Sequence, residues 1–223
     1  MRVLFAFLLM TQQALACDAP VCEVPQDSLR FTRDITFDAL PSGLGVGREL
    51  DGIVDESGAR FGRYFSGQVL ETVGTFDRAN GTPTQPLALM AGGKGHNLGA
   101  MRLYGTNILH GHGPRGFPNP DAVGEGTIAV LFDRDQPALA FDIVGGERGS
   151  AVVTFLNRAG GVLHRLALSE LSEATYTFER RGRIPDIAGL LIENDDPEGI
   201  GIDNLRFEFD ELMGALPQPR GAG

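Results

Sequence analysis

The second half of the chain consists of short apolar segments separated by turn residues, and this pattern constrains the fold most. The segments recur about every ten residues, and none shows a helical period. They cover residues 127–132, 138–144, 151–156, 161–168, 174–178, 187–193 and 200–209. Strands at this spacing are typical of an all-β protein, an antiparallel β-sandwich or jelly roll, rather than of alternating strands and helices.

The first half shows the same pattern more weakly. Short strands are expected at residues 35–37, 61–65, 68–73, 87–91 and 101–104. Residues 107–125 are rich in glycine and proline, so we expect a long irregular loop there.

The first residues have the layout of a secretory signal. Arg2 is followed by an apolar run over residues 3–10, and Ala14 and Ala16 form a small-x-small cleavage site before Cys17. The run is too short to anchor the chain in a bilayer. The sequence therefore predicts a signal peptide over 1–16, a periplasmic or secreted protein, and no transmembrane helix in the mature chain.

Cys17 and Cys22 are the two cysteines of the chain. In an oxidising compartment they can pair in a small local loop, and we expect this disulfide. The alternative is a lipid on Cys17, although the position three residues before it is Ala14 rather than the usual leucine. Lipidation would anchor the protein to a membrane.

We expect four segments in the chain. A signal peptide over 1–16 precedes a polar N-terminal leader over 17–30, a single β-sandwich domain over 31–210, and a flexible, proline-containing tail over 211–223. The net charge of −10 and the lack of a basic patch argue against nucleic-acid binding, and the same charge favours attraction of cations.

An acidic turn leads directly into the last predicted strand, over residues 193–205. Under strict alternation Asp203 shares a face with Leu205, whereas Asp196 lies in the exposed turn. A carboxylate on an otherwise apolar face needs a cation or several hydrogen bonds to offset the loss of hydration. Calcium takes six to eight oxygen ligands, which carboxylates and loop carbonyl groups supply.

The ending Gly199-Ile200-Gly201-Ile202-Asp203-Asn204-Leu205, after an opening Ile35-Thr36-Phe37-Asp38, resembles exported bacterial β-sandwich proteins of the PEP-CTERM type. More distantly the chain is similar to jelly-roll carbohydrate-binding modules. The resemblance implies a structural Ca²⁺ that joins an acidic residue of the first strand to one of the last, here Asp38 and Asp203. The chain departs from the PEP-CTERM type because its end lacks the sorting tail.

Other residues suggest chemistry less specifically. His110 and His112 would share one face of an extended segment, with His96 or Asp121 as a third metal ligand, but histidines in a loop are more often solvent-exposed. Acidic residues at 51, 55, 56 and 71 are expected to be solvated rather than catalytic, and no serine has a nucleophile-elbow context. We therefore predict no catalytic residue.

The sequence favours a binding module for a glycan or another cell-surface ligand, with a structural calcium ion. A jelly-roll enzyme acting on glycans and a purely structural extracellular protein are the alternatives. Tyr64, Tyr104 and Phe117 are the aromatic residues best placed to line a ligand cleft.

Overall fold

The computed structural model describes residues 17–209, which form β-strands joined by turns and three short 3-10 turns. The strands, in chain order, are β1 Val21–Val24, β2 Phe31–Ile35, β3 Arg48–Glu49, β4 Val54–Glu56, β5 Ala59–Gly62, β6 Tyr64–Phe65, β7 Gln68–Val73, β8 Phe76–Gly81, β9 Leu89–Met90, β10 Leu98–Leu103, β11 Thr106–His112, β12 Val123–Gly126, β13 Ile128–Gln136, β14 Ala138–Val144, β15 Ser150–Leu156, β16 Val162–Ser169, β17 Ala174–Arg180, β18 Ile187–Asn194 and β19 Gly201–Phe209. The predicted signal peptide and tail lie outside the described residues.

Two sheets account for most of these strands. The larger sheet has nine strands in the order β1-β17-β14-β19-β11-β10-β3, with β12 paired to β11 and β2 paired to β19. The smaller sheet has six strands in the order β16-β15-β18-β13-β5-β4, and β6-β9 and β7-β8 form two-stranded pairs. The named strands pair in antiparallel fashion, so the predicted all-β, antiparallel sandwich is confirmed.

The core lies between the two sheets because alternate residues of each strand point inward. Phe178 of the larger sheet meets Phe155 of the smaller sheet with ring centroids 5.3 Å apart, and Phe207 meets Phe132 at 5.2 Å. All four side chains are fully buried. Each contributes about 1.5–3 kcal/mol by leaving water, so this layer holds the sheets together.

The strands predicted between residues 127 and 209 are confirmed, with small shifts at their ends. The predicted loop over 107–125 is wrong at both ends, since β12 covers Val123–Gly126 and β11 covers Thr106–His112. The strand forms because Ile108 and Leu109 are buried and because β10 and β19 supply hydrogen-bonding partners on both sides. The irregular, proline-containing segment begins only after His112.

The segment 17–30 contains an edge strand of the larger sheet. Val21–Val24 pairs with β17, and the Val21 side chain is fully buried in the core. A disulfide with Cα atoms 6.0 Å apart joins Cys22 of this strand to Cys17, four residues before the strand begins. Within residues 17–209 no helix has the length and apolar character needed to span a membrane.

Candidate functional site

A β-bulge on β19 determines where Asp203 points. Asp142 lies opposite Asp203 and Ala140 lies opposite Arg206, so β19 has one residue more than β14 between these pairs. Asn204 adopts the left-handed conformation, with φ of 48°, which asparagine tolerates better than most residues. As a result Ile202 and Leu205 both enter the core. The predicted shared face of Asp203 and Leu205 is therefore wrong, because the bulge breaks the alternation.

Asp203 instead belongs to a polar row on the outer face of the larger sheet. Asp142 is its direct cross-strand neighbour, and Thr175 of β17 lies opposite Asp142. Asp142 accepts two hydrogen bonds of 3.0 Å from Arg206, one of 2.6 Å from Thr175 Oγ1 and one of 2.7 Å from Asn204 Nδ2. These donors satisfy the carboxylate of Asp142. Asp203, the other acid of the row, has no arginine partner among the described residues.

The structure brings the predicted pair Asp38 and Asp203 together at one hydroxyl group. Thr106 Oγ1 lies 3.2 Å from Asp38 Oδ1 and 3.0 Å from Asp203 Oδ2. A threonine hydroxyl has one hydrogen, so it donates to one of these carboxylates at a time. The other oxygen–oxygen contact needs a proton or a cation to be favourable.

Two local features position Asp38. Phe37 has a left-handed backbone, with φ of 57°, and its buried ring packs edge-on against Phe61 at 5.1 Å. The Asn107 side chain donates to the carbonyl groups of Phe37, Asp38 and Leu40 at 3.2–3.3 Å. The loop after β2 is thereby fixed against the start of β11.

The three carboxylates differ in their electrostatics. Burial raises the pKa of Asp203, and the neighbouring charges of Asp38 and Asp142 add to this. The backbone N–H of Asn107, 3.0 Å away, lowers the pKa of Asp38. Burial alone would raise the pKa of Asp142, but its hydrogen bonds, those of Arg206 above all, outweigh burial and lower it. Asp203 is thus the carboxylate of the three that gains most from a nearby positive charge.

The oxygen atoms at this place fit a calcium ion only in part. Asp38, Asp203 and the Thr106 hydroxyl converge, but Asp142 is committed to its own donors. Among residues 17–209 no group of three or more histidine, cysteine or acidic side chains is arranged to hold a metal ion. A Ca²⁺ ion there would draw its remaining ligands from carbonyl groups and water.

A groove of about 300 Å³ runs beside the polar row. Tyr104, Thr106, Asp142, Glu173 and Thr175 are among the residues that line it. Tyr104 lies in the two-residue turn between β10 and β11, where Tyr104 and Gly105 both have positive φ, and its side chain is 85% exposed. The groove thus combines apolar surface with carboxylate and hydroxyl groups, and the exposed ring of Tyr104 lies at its edge.

The other predicted residues lie elsewhere. His110 and His112 are buried in β11, rather than exposed in a loop. Asp196 is also buried, and its Oδ2 accepts hydrogen bonds from the backbone N–H groups of Glu147 and Gly149 at 2.8 and 2.9 Å, which offset the loss of hydration. The predicted exposure of Asp196 is therefore wrong. Tyr64 and Phe117, the other two aromatic residues proposed for a ligand cleft, are absent from the groove lining.

The acids proposed for an enzymatic pair remain scattered. Asp51, Asp55 and Glu71 are exposed, and Glu56 is half-buried in β4. Glu125 and Asp121 line a separate cleft of about 420 Å³ that has no aromatic lining residue.

Sequence reasoning missed a buried ion pair. The Arg63 side chain is fully buried and its Nη2 lies 2.6 Å from Asp77 Oδ2. Arg63 also donates to the carbonyl groups of Thr127 and His112, at 2.9 and 2.7 Å. The available signal was weak, because the segment 59–65 contains two arginines among aromatic and small residues, Arg60 as well as Arg63, and only Arg63 is buried.

Comparison with known protein families finds no model that matches the chain, and no curated protein matches it either.

Proposed function

We propose that the chain is an exported β-sandwich binding module that recognises a glycan or similar cell-surface ligand in the groove beside Tyr104. The exposed ring of Tyr104 is the observation that carries this proposal. An aromatic ring held away from the core by a tight turn provides a flat apolar face, and the groove beside it offers carboxylate and hydroxyl groups. Sugars present both an apolar ring face and many hydroxyl groups, so they suit this surface.

Export is part of the proposal. The signal-like start of the chain and the Cys17–Cys22 disulfide support it, because disulfides persist in oxidising compartments such as the periplasm or the cell exterior.

A structural calcium ion between Asp38 and Asp203 is the second part of the proposal. It rests on the shared Thr106 hydroxyl and on the raised pKa of Asp203. Such an ion would tie the loop after β2 to β11 and β19, one side of the groove.

The binding proposal is tested on a glycan array with the wild-type protein and Tyr104→Ala. Loss of one aromatic contact is expected to weaken binding about tenfold, since such contacts are worth roughly 1.5 kcal/mol. Ile184→Ala is the control, because Ile184 is also an exposed apolar residue but lies beyond the opposite end of β17. Equal binding by wild type and Tyr104→Ala, or no glycan binding by the wild type, would contradict the proposal.

Calcium is tested by thermal unfolding with millimolar Ca²⁺ and with chelator. An ion at a hundredfold excess over its Kd adds about 2.7 kcal/mol, which raises the Tm by several degrees. Asp203→Asn is expected to lose this response, whereas Asp195→Asn, at an exposed acid outside the pair, should keep it. If neither calcium nor chelator changes the Tm of the wild-type protein, the calcium site does not exist.

A further inference from the structure

The cleft of about 420 Å³ that contains Glu125 is separate from the groove beside Tyr104. Thr106, at the start of β11, lines the groove, whereas the segment that follows the end of β11 forms one wall of the cleft. The turn between β7 and β8 and the turn between β18 and β19 supply the other walls. A cleft of this size has room for a small organic molecule. It is lined by Thr75, Arg115, Pro120, Asp121, Val123, Glu125, Pro197 and Glu198.

A bulge in β12 presents Glu125 to the cleft. Between the residues that pair with His112 and with Gly111, β12 has two residues more than β11, and these are Gly124 and Glu125. Gly124 has a positive φ of 79°, and a Cβ atom on it would lie 2.6 Å from the backbone nitrogen of Ile200. The backbone here packs directly against the start of the last strand, so the bulge is fixed. Bulges of this kind redirect a side chain, here that of Glu125.

Glu125 is the buried residue among those that line the cleft, with an exposure of 8%. Its Oε2 has no hydrogen-bond partner among the described residues. Burial raises the pKa of Glu125, and the charges of Asp121 and Asp77 add to this. A buried carboxylate oxygen without a donor is costly, so a ligand that brings a donor and a positive charge is favoured there.

The other charged residues of the cleft also favour a cation. The cleft has three carboxylates, those of Asp121, Glu125 and Glu198, and one arginine, Arg115. Arg115 forms an ion pair with Asp121. Glu125 and Glu198 are therefore left without a counter-charge among the residues that line the cleft.

The lining of the cleft selects the kind of cation. Within residues 17–209 no three histidine, cysteine or acidic side chains are arranged around a metal position. Quaternary ammonium groups are recognised by aromatic rings, and no aromatic residue lines this cleft. The cation expected is therefore an organic one with N–H donors.

A primary ammonium group suits Glu125 better than a guanidinium group does. It is compact and has three N–H donors, whereas the planar guanidinium fork requires a matching pair of acceptor oxygens. Pro120, Val123 and Pro197 offer apolar surface to the carbon chain of a ligand. We propose that the cleft binds a small organic molecule through a primary ammonium group that donates a hydrogen bond to Glu125.

The test is a calorimetric titration of the purified protein with 1,4-diaminobutane, in the presence of chelator. We expect one equivalent bound, and binding at least about tenfold weaker in Glu125→Gln, because a charge-assisted hydrogen bond is lost. Glu23→Gln is the matched control, since it makes the same change at an exposed glutamate of β1, and it should bind as the wild type does. 1,4-Butanediol, which has no charge, and tetramethylammonium, which has no N–H group, should not bind.

Amide chemical shifts of the wild-type protein during the same titration need no variant, in case Glu125→Gln prevents folding. Changes are expected at Thr75, Glu125 and Glu198, and not at Thr106 or Asp142 of the groove. The proposal is overturned if the diamine does not bind, if Glu23→Gln weakens binding as much as Glu125→Gln, or if the shift changes lie in the groove. Equal binding of tetramethylammonium, or tighter binding of Ca²⁺ or of the bis-guanidinium analogue of the diamine at the same amides, would also overturn it.

Discussion

Individual side chains of this protein carry large electrostatic costs at two places. One is the guanidinium group of Arg63, which is fully buried against Asp77 and ties the end of β5 to β8, β11 and the start of β13. The other is the carboxylate of Asp203, which faces Asp142 directly across the strands and meets Asp38 at the Thr106 hydroxyl.

Asp77→Asn is expected to destabilise the protein by about 3 kcal/mol, because it leaves the buried charge of Arg63 without its counter-ion. Asp195→Asn is the matched control. It removes a carboxylate paired with the neighbouring Arg78, but the Asp195 side chain is 59% exposed, so a cost below about 1 kcal/mol is expected. Urea unfolding at neutral pH measures both. Equal losses would show that the burial of the Arg63 pair has no energetic consequence.

Asp203→Asn is expected to stabilise the protein in the presence of chelator, and only toward neutral pH. The folded state raises the pKa of Asp203 above 3.8, so its contribution to stability is complete below that value and is lost as pH rises through the folded pKa. The amide that replaces the carboxylate does not titrate, so the variant loses no stability in this way as pH rises. It can also donate to Thr106 Oγ1, which frees the hydroxyl hydrogen for Asp38.

The gain should be about 0.5–1 kcal/mol at pH 7, the usual scale for like charges facing each other across strands, and should vanish in acid. Unfolding free energies at a series of pH values check this. A difference that does not change with pH would mean that Asp203 carries no electrostatic cost.

At the scale of single elements, the bulge on β19 matters most, because one left-handed residue sends Asp203 outward and Leu205 inward. Asn204 also donates its side-chain amide to Asp142 at 2.7 Å. Both the backbone conformation and this hydrogen bond hold the bulge in register.

Asn204→Gly and Asn204→Val separate the two contributions. Both remove the hydrogen bond to Asp142, but glycine accepts a positive φ and valine does not. The valine variant is expected to be less stable than the glycine variant by about 1–2 kcal/mol, the cost of a left-handed backbone for a residue with a Cβ. Urea unfolding gives the difference. If the two variants are equally stable, the backbone at Asn204 is not strained.

The strands of the second half are predictable because each is an apolar run with turn residues on both sides. The bulge is not predictable, because a period of two has no place for an extra residue. Asn204 lies inside the predicted strand 200–209, where the sequence gives no sign of a left-handed backbone. The strand Thr106–His112 was hidden by the glycines and prolines that follow it. The meeting of Asp38 with Asp203 was predicted from a resemblance in short motifs, and local pattern alone would not have paired residues so far apart in the chain.

For the whole molecule, the sheet order places the last strand at the centre of the larger sheet. β19 lies between β14 and β11 and also pairs with β2. A chain that ends at Ile200 should therefore lack a cooperative unfolding transition, because three strands lose their partner at once. Circular dichroism during heating checks this, and a sharp transition in the shortened chain would contradict it.

The central position of β19 also determines when the larger sheet can form during synthesis. Ile35 of β2 pairs with Leu205 of β19, so the larger sheet cannot close until β19 has emerged. Contacts this distant along the chain make folding slow compared with helical proteins of similar size. During synthesis β2 therefore stays without its partner strand until β19 has emerged, and the larger sheet becomes a rigid body only after that point.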